Sequence, residues 1–102
     1  MAKTYWLTFR IADDSTYDRR YAAFEGAVAD LAEGGKWWSE TTSFFLFRSS
    51  HDRATVAGII KQALNPDTDV ALLGALDFKG QTIIGAWSDP DLTALAGAVD
   101  QV

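Results

Sequence analysis

An α+β domain built on an antiparallel sheet is predicted by three features of the sequence. The first is an alternation near the start, with Tyr5, Leu7, Phe9 and Ile11 on one face and Thr4, Trp6, Thr8 and Arg10 on the other. That is the two-residue period of a half-buried strand. The second is the recurrence of Tyr17, Tyr21, Phe24, Val28 and Leu31 at the spacing of one apolar helix stripe. The third is the stretch from Gly34 to Ser50, which holds Trp37, Trp38, Phe44, Phe45 and Phe47 and is rich in the residue types that suit a pleated surface.

Taken in order, strand 1 runs from Thr4 to Ile11, and Trp6 on its polar face suggests that this face too is partly covered. Ala12-Asp13-Asp14-Ser15-Thr16 is a turn and a helix start. Ser15 and Asp18 have capping-box spacing, and the acids suit the positive end of a helix dipole. Ala22, Ala23, Ala27, Ala29 and Ala32 add helix propensity, and Gly34-Gly35 ends the helix in the left-handed region. Two short strands follow, joined near Glu40-Thr41-Thr42. In the second, Phe45 and Phe47 face one way and Phe44, Leu46 and Arg48 the other, as in a strand inside a sheet or at a dimer seam.

Ser50 or Asp52 caps a second helix with the stripe Val56, Ile59, Ile60, Ala63 and Leu64, stopped by Asn65-Pro66-Asp67. Asp69 to Phe78 reads as an interior strand and Gln81 to Trp87 as another. Pro90 opens a short C-terminal helix through Leu92, Leu95, Ala96 and Val99. The order β-α-β-β-α-β with an added strand and helix is the ferredoxin-like arrangement. It predicts an antiparallel sheet with the helices on one face and an open apolar face opposite, and a homodimer is the expected cover for that face.

The totals narrow the rest. A chain of 102 residues with 48% hydrophobic content makes one domain, residues 1–102. The absence of cysteine excludes disulfides, thiolate metal sites and a cysteine nucleophile. Met1-Ala2-Lys3-Thr4 enters strand 1 without the form of a signal peptide, and no apolar stretch nears the ~20 residues of a membrane span. A cytoplasmic protein without membrane partners is the expectation. A net charge of −5 disfavours nucleic acid as a partner, and the cations Arg10, Arg19, Arg20, Lys36, Arg48 and Arg53 are scattered rather than in one run.

Strand 1 with Tyr17-Asp18 and Tyr21, then Gly35-Lys36-Trp37-Trp38 and Thr42-Ser43-Phe44-Phe45-Leu46, then Asp69 at a strand start, resembles a group of small bacterial proteins. These are often labelled SinR-family or hypothetical. They share the fold of the small CRISPR adaptation subunit (Cas-two type) and of virulence-associated protein D. The resemblance covers residues 4–76 and implies a ferredoxin-like homodimer. It also implies metal-dependent cleavage of phosphodiester bonds in RNA or DNA, with Mg²⁺ or Mn²⁺ held by an Asp at the end of strand 1. Here that position carries Arg10, which would repel a divalent ion, and the nearest acids are Asp13 and Asp14. Those two are the catalytic candidates, with helix capping as their structural alternative. No other cofactor is implied.

His51 is the only histidine, and Ser50-His51-Asp52 reads as a polar helix cap rather than a hydrolytic grouping, because chain neighbours seldom point at one another as a triad requires. Gly74, Gly80 and Gly85 lack phosphate-loop spacing. Trp37 and Trp38 could stack nucleobases, but core and interface are favoured for them. The expected interface set is Trp6, Arg10, Trp37, Trp38, Phe45 and Phe47. The leading expectation is a homodimeric interaction module, with a further protein partner in reach. A metal-dependent nuclease and a small-ligand-binding dimer are the alternatives.

Overall fold

The structure is a computed structural model that describes residues 2–76 and 79–102. The chain runs through β1 (Lys3–Arg10), α1 (Tyr17–Leu31), a 3₁₀ turn (Glu33–Gly35), β2 (Trp37–Trp38) and β3 (Phe44–Ser49). It continues through α2 (Arg53–Gln62), β4 (Val70–Ala75), β5 (Gln81–Gly85), α3 (Asp91–Ala96) and β6 (Val99–Gln101). The described residues form an α+β unit with one six-stranded sheet in the order β2-β3-β1-β4-β5-β6.

β1 lies inside this sheet and is antiparallel to β3 on one side and β4 on the other, with Tyr5 opposite Phe47 and Ala75. Its alternation is realised: Tyr5, Leu7 and Phe9 are buried, while Thr8 and Arg10 are exposed. The buried side meets Phe45 and Phe47 of β3, Phe24 and Val28 of α1, Val56 and Ile60 of α2, and Leu73 of β4. Phe9 anchors the layer, stacked on Phe45 at 5.2 Å and edge-on to Phe24 at 4.4 Å. Offset-stacked and edge-to-face pairs of this kind add specificity to the burial of aromatic surface.

Five expectations change. The sheet is mixed rather than antiparallel throughout, because β6 runs parallel to β5 after a crossover through α3. Val99 accordingly opens a strand instead of closing a helix: α3 stops at Ala96, and Gly97 turns the chain at φ 77°. α1 and α2 share one face, but the segment after β5 bends the other way, and Trp87 and Leu92 border a cleft with Arg10 and Val70 on the far side. The strand beginning at Gln81 ends at Gly85, short of Trp87. The strand expected from Asp69 begins at Val70 and ends at Ala75, and the end expected for it at Phe78 lies outside the described residues.

Helix starts follow local side-chain chemistry. Asp52 caps α2 by accepting from the Thr55 backbone N–H at 2.8 Å. α1 has no capping box: Thr16 stands at its N-cap without a side-chain cap bond, and Asp14 accepts from the Thr16 N–H at 2.9 Å and the Thr16 hydroxyl at 3.0 Å. That Asx-type turn brings the chain round into the helix and takes the place of the Ser15–Asp18 pair.

Candidate functional site

The side of the sheet away from α1 and α2 is written by the register of its strands. One row crosses the sheet as Trp38, Leu46, Trp6, Gly74 and Gln81, and the next as Phe44, Thr8, Leu72 and Ile83. Trp6, Phe44, Leu46, Val70 and Leu72 are half-buried, whereas Ile83 is buried outside the helix-side core. Gly74 is required by Trp6: a Cβ there would collide with the indole ring, which lies close against the glycine. Arg10 and Arg48 are exposed near opposite ends of β1, at the registers of Val70 and Thr4. The outward positions of β1, β3, β4 and β5 carry no lysine and no acid, in a chain with fourteen Asp and Glu.

Trp37 and Trp38 are not core. They form the two-residue edge strand β2 and are 38% and 41% exposed. A strand this short at the sheet edge has β3 on one side only, which leaves both indoles half in solvent. Trp38 packs edge-on against Phe44 at 5.9 Å, and its indole N–H donates to Glu40 Oε2 at 3.0 Å. Beside β2 lies an open cleft of about 550 Å³ whose lining includes Trp37, Trp38, Lys36, Arg48, Glu33 and Gly34. Phe45 and Phe47, expected at an interface, are instead buried in the chain's own core at 2% and 3% exposure. Their side of β3 faces α1, so no surface remains for a partner.

Asp13 and Asp14 lie in the exposed loop between β1 and α1. Asp14 accepts from Arg20 at 2.7 Å in addition to its Thr16 bonds. The Thr16 backbone N–H, with Arg20 and the Thr16 hydroxyl behind it, holds the Asp14 carboxyl below its ordinary range. A hard divalent cation takes six or more oxygen ligands, and a carboxylate already held by a guanidinium does not fit that role. Among the described residues no group of three or more His, Asp or Glu is placed to hold a metal ion.

Arg20 leads to a site that the sequence reading missed. Its guanidinium reaches past Asp14 to Asp69, with Nη1 at 2.9 Å from Oδ2 and 3.1 Å from Oδ1, and donates to the Ala12 carbonyl at 3.2 Å. Asp69 is fully buried and also accepts from the backbone N–H groups of Ala12 and Asn65, each at 2.8 Å. One side chain thus ties together the end of β1, helix α1 and the loop before β4. The only hint in the sequence is a charged residue opening the apolar run Val70–Ala75. His51 is exposed and works through its backbone: its carbonyl accepts from the Tyr5 hydroxyl at 2.7 Å and its N–H donates to Ser49 Oγ at 3.3 Å. Among the described residues no helix is long and apolar enough to cross a membrane.

Comparison with protein-family models, curated proteins and solved structures returned no match.

Proposed function

We propose that the chain is a homodimeric interaction module that uses the outward face of its sheet as the seam. One observation carries this reading: the outward positions of β1, β3, β4 and β5 hold only aromatic, aliphatic, small, Thr, Gln and Arg residues. Interface centres are enriched in aromatics and arginine and depleted in lysine and acids, and an acidic chain whose outward strand positions hold no acid has the pattern of a contact surface. The partner is a second copy, because one patch repeated about a two-fold axis completes both subunits at once. The order β2-β3-β1-β4 beneath α1 and α2 supports reading residues 3–75 as a ferredoxin-like core. That reading agrees with the homodimer implied by the resemblance to the small CRISPR adaptation subunit. The lack of cysteine is in keeping with a reducing compartment such as the cytoplasm.

The test is mass in solution. Light scattering coupled to size exclusion at micromolar concentration should give twice the chain mass of 11.1 kDa. Leu72→Asp, which sets a charge in the middle of the face, should give the monomer with an unchanged circular dichroism spectrum. A monomeric parent protein, or a dimer indifferent to Leu72→Asp, overturns the proposal.

A further inference from the structure

The cleft beside β2 borders the proposed seam, sharing Thr4, Leu46 and Arg48 with it, and combines three chemistries. Trp37 and Trp38 keep more than a third of their surface exposed, an unusual cost for two adjacent indoles when every other aromatic among the described residues is buried or half-buried. Lys36 and Arg48 line the same cleft, and among the described residues neither forms an ion pair. Glu33 is the acid in the lining. Gly34 brings backbone to the wall, and a Cβ added there would meet nothing within 4 Å, so the space beside it is open. The volume of about 550 Å³ lies inside the ~300–1,000 Å³ of sites that take small molecules.

We infer that this cleft is a binding site for a free purine nucleoside monophosphate. Each part of such a ligand has a counterpart in the lining. An indole offers a stacking face to the bicyclic base, a contact that every base can make through its π-face. Lys36 and Arg48 supply two positive charges to a phosphate that carries nearly two negative ones. Glu33 provides the carboxylate acceptor that ribose hydroxyls commonly find in nucleotide sites. An acidic chain that keeps two cations together beside two open indoles selects an aromatic anion over a plain one. The net charge of −5 works against a long polyanion, which favours the single nucleotide over a strand.

Isothermal titration calorimetry with AMP tests the site, with adenosine and inorganic phosphate as part-ligand controls. AMP should bind saturably at one site per chain, with adenosine and phosphate each weaker by about tenfold or more. Trp37→Ala, Trp38→Ala and Arg48→Ala lie at the surface and should keep the thermal midpoint. Arg48→Ala should weaken AMP by about tenfold and leave adenosine unchanged, and at least one of the tryptophan variants should weaken both. Gly34→Asn suits the backbone at φ 69° and should block the cleft. AMP should still bind the Leu72→Asp variant, which separates this site from the proposed seam. No heat with AMP overturns the inference. So does binding that survives both tryptophan changes, or binding confined to a 5′-phosphorylated oligonucleotide.

Discussion

Leu72 and Leu73 are neighbours in β4 and belong to opposite sides of one sheet. Leu73 is fully buried among the residues that face α1 and α2. Leu72 stands half-buried between Thr8 and Ile83 on the other side. The first face is finished within the chain: its aromatics interlock, its helices cover it, and its buried polar groups are bonded. The second is equally ordered in register, and among the described residues the segment after β5 lies beside it at the Arg10 end. A sheet with one face closed and the other dressed for contact separates the work of folding from the work of association. Substitutions on the two sides should therefore fail in different ways.

The largest effect should come where the finished face is sealed at its end. Asp69→Ala leaves the Arg20 guanidinium and the N–H groups of Ala12 and Asn65 without their shared acceptor. Removing one partner of a buried pair costs about 3–5 kcal/mol, which chemical denaturation would register as a large fall in midpoint. Leu73→Ala follows, at about 2–5 kcal/mol for an aliphatic cavity in a close-packed core. Leu72→Ala should cost no more than about 1 kcal/mol and act instead on the mass measured in solution. Equal losses at the two leucines would dissolve the distinction between the faces.

Gly74→Ala sharpens it from the other side. The added methyl would collide with the Trp6 indole, and the ring has to lift off the sheet or the strands must spread. Overpacking of this kind costs about 1–3 kcal/mol. Because Trp6 lies on the outward face, the substitution should shift tryptophan fluorescence and weaken the dimer more than it lowers the unfolding midpoint. A fall in stability with dimer mass and emission unchanged would show that Trp6 is packing alone.

The finished face was legible in the sequence and the outward face only in part. The alternation in β1, the stripe from Tyr17 to Leu31 and the split of β3 into Phe45 and Phe47 against Phe44 and Leu46 all follow from strand and helix periods. The Asp52 cap could be read because its bond to Thr55 is local. Asp69 could not, since its partner Arg20 is 49 residues away and nothing near either residue announces the other. Trp37 and Trp38 misled for a different reason: composition speaks of burial, but position in the sheet decides it, and β2 lies at the edge. The same limit applies to Val99, where apolar spacing continued the helix and Gly97 ended it.

The smallest expected effect is the response to acid, and it too divides the faces. The Thr55 backbone N–H holds the Asp52 carboxyl below its ordinary range, as the Thr16 N–H and Arg20 do for Asp14. A carboxyl whose folded value is lowered contributes stability that is fully present above its unfolded value of ~3.9 and is lost as the pH falls through the folded one. Both acids serve the entries to α1 and α2, the helices of the finished face. The outward positions of β1, β3, β4 and β5 hold no acid to titrate. Lowering the pH through the aspartate range should therefore reduce the thermal midpoint of the parent protein and of monomeric Leu72→Asp by similar amounts. Asp52→Asn keeps a good N-cap while removing the titration, and it should flatten that acid limb without moving the neutral-pH midpoint by much. An acid limb unchanged by Asp52→Asn would shift the burden to Asp14, where Asp14→Asn gives the matching test.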